Sequence, residues 1–171
     1  MLQDQRLHPF DVVLALRLLR TEATLAELGR ELHRAPSQIF QSLRRLEAAG
    51  LVRPGTRAAN RLALEEFIEH GVRYAFPAAV GTQAVGIPTA HSGPDLATEI
   101  VAADRYVWAD SSARGAVRGI AISPLYPAAP KLRESSPETY RALALVDAVR
   151  VGRTRERALA VDRLRKMFAH A

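Results

Sequence analysis

Apolar positions repeat at helical spacing in the first and last thirds of the chain and lose that spacing in between. Over residues 10–20, Val12, Val13, Leu16 and Leu19 form an apolar stripe that predicts a first helix. Thr24 and Glu27 make a capping-box pair: the hydroxyl can accept from a first-turn amide while the glutamate reaches back to the Thr24 amide. Leu25, Leu28 and Leu32 then share one face of a second helix ending near His33 and Arg34. A third helix, over 36–49, opens on Pro36 in the first-turn position that proline tolerates best, with Ile39, Leu43 and Leu46 facing inward. Gly50 can cap it, and the chain from Leu51 onward can begin a strand. Asn60 can cap a fourth helix over 61–70, with Leu64, Phe67 and Ile68 buried and Gly71 as its stop.

Residues 72–137 hold seven of the ten prolines, which argues against long helices there. Their short β-prone runs, 72–76, 105–109 and 117–123, predict a small sheet. Helical spacing returns after Ser136-Pro137. A helix over 138–150 carries Tyr140, Leu143, Val146 and Val149, Gly152 breaks the chain, and a last helix over 154–169 shows Ala158, Val161, Leu164 and Phe168 in a stripe. The class is therefore α+β, in three segments: 1–71, 72–135 and a helical hairpin over 136–171.

The third helix carries the most informative polar pattern. Gln38, Gln41, Ser42 and Arg45 form a second stripe beside the apolar one. It contains amides, a hydroxyl and a guanidinium, the groups that pair with base edges, and no carboxylate. An ordinary solvated face is the alternative meaning of such a stripe. Two short helices joined by a turn of about three residues also leave the second one protruding.

The stretch LAELGRELHRAPSQIFQSLRRLEAAGLVRPG, residues 25–55, resembles the winged helix-turn-helix of MarR-like bacterial regulators. Ala26, the apolar positions 28, 32, 39, 43 and 46, and the closing LEAAGLV carry the resemblance, which covers about a third of the chain. It implies an N-terminal winged helix-turn-helix, with residues 51–59 as the wing; the small mixed α/β domain and the helical hairpin that follow are read from the residues, and 72–137 does not match the dimerisation helices of that family. Carried onto matching positions, it implies that Ser37, Gln38, Gln41 and Arg45 approach bases, and that Arg34, Ser42, Arg44, Arg53 and Arg57 hold phosphates. Three positions depart from the family. His33 stands where glycine is common, Ala35 where a Ser or Thr cap is usual, and Phe40 where a small or polar residue is frequent. Phe40 is expected to pack on a neighbouring element, with a thymine methyl group as its other use.

Composition adds less. Apolar residues make up 48% and charged residues 25%, the profile of a globular chain, and no run of about 18 apolar residues predicts a membrane span. The start, MLQDQRLHPFDVV, lacks a basic-then-apolar leader, and cysteine is absent, so a cytoplasmic address is expected. The net charge of +6 attracts polyanions, but an Ala/Arg-rich vocabulary also follows genomic base composition. Between Arg150 and Lys166 stand seven basic residues against Glu156 and Asp162, either a second phosphate-binding surface or a solvated face of a packed hairpin.

Catalysis finds no support. Ser92 lacks a nucleophile-elbow motif, although His91 and Asp95 stand beside it, and the five histidines show no metal-ligand spacing. No cofactor, metal or catalytic residue is expected. The expected function is a homodimeric, sequence-specific regulator, a repressor on a pseudo-palindromic double-stranded DNA operator. By analogy with small regulators carrying an added C-terminal domain, it would autoregulate a toxin–antitoxin or defence locus as the antitoxin. The alternative is a protein-interaction adaptor using the same scaffold without DNA, and the sequence names no small-molecule effector.

Overall fold

The computed structural model describes residues 5–171, so residues 1–4, part of the stretch behind the expectation of no leader, lie outside the described residues. The fold is α+β, with eight α-helices and a three-stranded mixed sheet among the described residues. Helices α1 (Pro9–Leu18), α2 (Leu25–Leu32) and α3 (Pro36–Ala48) come first. A minimal antiparallel ribbon follows, in which Val52 pairs with Ala59, and then α4 (Arg61–His70). Residues 72–76 do not form the expected strand. Val72–Ala75 make one helical turn, α5, because the Gly71 carbonyl accepts amide hydrogen bonds from Tyr74 and Ala75.

The sheet contains β1 (Val80–Thr89), β2 (Tyr106–Ala109) and β3 (Val117–Ile122). The last two lie within the β-prone runs, whereas β1 has no counterpart among them. It pairs antiparallel with β2 through Gly86–Thr89 and with β3 through Val80–Gly86, while β2 and β3 run parallel over two residue pairs. All three strands meet at Gly86, where a β-carbon would stand 1.9 Å from the Trp108 carbonyl oxygen, so only glycine fits.

Helices α6 (Leu132–Ser135), α7 (Pro137–Val151) and α8 (Thr154–Ala169) complete the chain. Helix α7 is buried at every residue from 142 to 150 and packs on α1, α5, α6, α8 and β1. A helix buried on all sides is a core element, so α7 is the axis of the molecule. The buried apolar residues form one cluster running from Phe10 to Phe168, shared by all three sequence segments. On α8 the buried stripe is Ala160, Leu164 and Phe168, with Ala158 exposed, so this helix packs on its own chain through a face rotated from the expected one. No helix among the described residues is long and apolar enough to cross a membrane.

Asp147 of α7 sits without solvent exposure at the centre of this core. Its Oδ2 accepts hydrogen bonds from Thr89 Oγ1 at 2.8 Å and Trp108 Nε1 at 2.6 Å, and its Oδ1 accepts one from Arg150 Nη1 at 2.6 Å. Arg150 reaches on to the carbonyls of Phe76 and Ser123. Burial pushes the Asp147 carboxyl up, and the Arg150 charge opposes that rise. Nearby, Tyr140 donates to the Pro88 carbonyl at 2.7 Å, and burial raises its hydroxyl to about 12. Asp147→Ala is expected to cost about 3–5 kcal/mol in urea unfolding, because it leaves Arg150 buried without its partner. A loss below about 1 kcal/mol, the range of an exposed ion pair, would contradict this role.

Candidate nucleic-acid interface

The first three helices and the ribbon place the residues singled out in the sequence. Thr24 and Glu27 make the expected box, with Glu27 N–H donating to Thr24 Oγ1 at 3.2 Å and Thr24 N–H to Glu27 Oε2 at 2.7 Å. His33 ends α2 in the left-handed region at φ 54°, doing without glycine what a C-terminal cap requires. Its ring meets Ser135 Oγ at 3.1 Å, and Ser135 donates to the Glu31 carbonyl, so α6 braces the turn between α2 and α3. Gly29 lets that turn close: a β-carbon there would meet the Arg34 carbonyl oxygen at 2.5 Å. After α3, Gly50 takes φ 73° and the Leu51 amide bonds back to the Leu46 carbonyl, closing the helix as expected.

Helix α1 holds α3 through a buried carboxylate. Asp11 has no solvent exposure and accepts from Ser42 Oγ at 2.5 Å, from Arg45 Nε at 2.8 Å and from Arg45 Nη2 at 2.7 Å. The His8 amide supplies another donor at 2.8 Å. A second ion pair joins α1 to α2, with Arg17 almost wholly buried against Glu31 at 2.5 Å. The hydrogen bond from Arg17 holds the Glu31 carboxyl below the usual range.

This geometry divides the expected contact residues. Ser42 is buried on Asp11, which removes it as a phosphate contact. Arg45 has its fork on the same carboxylate and serves to hold α3 rather than to approach bases. Gln38 turns its Oε1 back to the Ala35 amide at 3.2 Å, supplying part of the cap that Ala35 cannot. Arg34 lies over Phe10 and Tyr126, 4.9 and 5.6 Å from the ring centroids, instead of facing outward. Burial pushes the Tyr126 hydroxyl up, against the pull of the Arg34 charge.

The remaining five share an exposed side. Ser37, Gln41 and Arg44 recur at i, i+4 and i+7 on α3, and Arg53 and Arg57 stand on the ribbon, all exposed. Phe40 does not pack on a neighbour: it is 54% exposed beside them. Two grooves flank α3. One, of about 890 Å³, is lined by Gln5, His8, Ser37, Gln41 and Arg44, and the other, of about 660 Å³, by Phe40, Arg44, Thr56 and Arg57. The Glu47 carboxylate accepts the Gly55 amide at 3.3 Å and so ties the ribbon turn to the helix.

Asp11 and Gly29 were not singled out in the sequence. The signal for Asp11 is an acid three residues after His8 at the start of an otherwise mostly apolar helix. For Gly29 it is a glycine inside a helix, where it costs roughly 1 kcal/mol without a packing reason. Among the described residues no group of three His, Asp or Glu side chains is placed to hold a metal ion. Comparison with known proteins finds no matching family model, no matching curated protein and no matching solved structure.

Two stability measurements check the division. Arg45→Ala is expected to lose about 3–5 kcal/mol, because Asp11 then stays buried without its cation, whereas Arg44→Ala should stay within about 0.5 kcal/mol. Equal effects in chemical denaturation would overturn the assignment. The Arg17–Glu31 pair stabilises fully above the ordinary Glu31 value of 4.5 and is lost as pH falls through the depressed folded value. Stability should therefore fall more steeply below pH 4.5 in the natural chain than in Glu31→Gln, and parallel curves would contradict it.

Proposed function

We propose that the chain is a sequence-specific DNA-binding regulator built on a winged helix-turn-helix, with α3 as the recognition helix and the ribbon as its wing. The outward face of α3 carries this reading. Ser37, Gln41 and Arg44 are exposed at helical spacing, and the groups beside them that would compete for the same role are held inside. An amide such as Gln41 suits adenine edges, while Arg44, Arg53 and Arg57 suit phosphates. The net charge of +6 supports a polyanionic partner. A single module of this size buries too little DNA for tight specific binding, so a homodimer on a pseudo-palindromic operator, acting as a repressor in the cytoplasm, is part of the proposal.

One observation favours a protein-interaction adaptor instead. Phe40 leaves more than half of its surface in water beside two grooves, as an anchor for a protein partner would. On DNA the same ring would lie against a thymine methyl group.

Selection of bound duplexes from a random pool, followed by anisotropy titrations, separates the two. Gln41→Ala is expected to weaken the selected site by about 1–3 kcal/mol and to relax one base position. Arg44→Ala is expected to weaken all duplexes alike and to lower the salt slope by about 1. Failure to enrich any sequence, with both variants binding duplex like the natural chain, would sink the regulator and leave the adaptor.

A further inference from the structure

The seven basic residues between Arg150 and Lys166 divide sharply by their partners. In the second half of α8, Arg163 pairs with Glu99, Arg165 with Glu65 and Glu69, and Lys166 with Asp162. Arg150 is engaged inside the core by Asp147. The three at the start of α8 differ. Arg153, Arg155 and Arg157 have no carboxylate within ion-pair distance among the described residues, and Arg157 makes one hydrogen bond, to the Gly152 carbonyl.

Helix α5 brings a fourth such arginine and an aromatic ring to the same place. Arg73 and Tyr74 line a groove of about 420 Å³ together with Thr154 and Arg157. The Arg73 guanidinium stands 5.1 Å from the centroid of the Tyr74 ring, which is 74% exposed. Tyr74 contributes nothing to the core, and its environment places a large aromatic surface in water beside Arg73 and Arg157, at the start of α8 that also carries Arg153 and Arg155. The acids nearby are engaged: Glu69 lines the groove but is paired with Arg165, and Glu156 accepts the Arg153 amide at 2.9 Å. By contrast, the larger cleft between α1, α7 and α8, of about 750 Å³, has its cations paired, Arg20 with Glu138 and Arg141 with Asp95.

We propose that this second surface binds single-stranded nucleic acid. Arg73, Arg153, Arg155 and Arg157 hold the phosphate backbone, and Tyr74 is the platform on which one unpaired base stacks. Charge selects a polyanion, and the ring selects which one. A duplex keeps its base faces covered by neighbouring pairs, whereas a single strand offers an open face to an exposed aromatic side chain. The site lies beyond the C-terminal end of α4, a helix of ten residues that separates it from the ribbon, so it is independent of the proposed duplex-binding face of α3.

Anisotropy of a labelled oligothymidine strand, with the full chain, tests it. Tyr74→Ala removes no buried contact and is expected to weaken the strand about tenfold, the size of one lost stack, while Tyr74→Phe keeps the affinity. Arg155→Glu should weaken binding and flatten its salt dependence. An abasic strand of the same length should bind the natural chain and Tyr74→Ala alike, and Arg44→Ala should leave strand binding unchanged. The inference is overturned if the strand does not bind, if Tyr74→Ala binds it as the natural chain does, or if Arg44→Ala lowers it as much. Loss of strand binding with duplex binding intact, or the reverse, tells the failure of this site from failure of the α3 reading.

Discussion

Burying a carboxylate costs several kcal/mol unless a cation and further donors meet it, and Asp11 is buried completely. Two of its partners, Ser42 and Arg45, stand three residues apart on α3, so they fix the helix in rotation as well as in position. Turning α3 by one residue would separate the carboxylate from both. This constraint decides which residues face outward. Once Ser42 and Arg45 are held on α1, helical geometry leaves Ser37, Gln41 and Arg44 on the free side. The ribbon follows from the same anchoring, because Gly50 closes α3 and Glu47 and Asn60 tie the two turns that flank Val52 and Ala59.

Asp147 repeats the device at the centre of the molecule. It links β1, β2 and α7 through Thr89, Trp108 and Arg150, and Arg150 carries the network to the carbonyls of Phe76, before β1, and Ser123, after β3. Because α7 also touches α1, the helix that holds α3, the two buried carboxylates belong to one continuous core. Elements that the sequence separates into three segments therefore support one another. The exposed face of α3 rests on this shared core and on the brace that Ser135 supplies to its turn.

Element boundaries were legible wherever a local rule set them. The Thr24–Glu27 box, Pro36, Gly50, Asn60, Ser136-Pro137 and Gly152 all act within a few residues, and each stands where the helices begin or end. Strand β1 was not legible: its Pro88 and its glycines argue against a strand, and only pairing with two distant partners makes one. The run 72–76 has β-branched and aromatic residues, yet Gly71 and the packing of Val72 on the core turn it into a helical turn. For the candidate site, the stripe Gln38, Gln41, Ser42 and Arg45 was read from helical spacing, which cannot say which polar face is outward. The answer lay in Asp11, more than thirty residues away, whose acid was hidden inside an apolar stripe.

The cations of this chain differ in their partners as well as in burial. Arg17, Arg45 and Arg150 are parts of the core, each engaged by a carboxylate, while Arg44, Arg53 and Arg57 surround α3 without such partners among the described residues. Total charge therefore says less about function than the subset left in water. Mapping amide chemical shifts of the full chain by NMR during titration with a selected duplex tests the central claim most directly. Shifts concentrated at Ser37, Gln41, Arg44, Arg53 and Arg57, with the amides around Asp11 and Asp147 unmoved, are the expected result. Shifts absent from α3 and the ribbon at saturating duplex would contradict it.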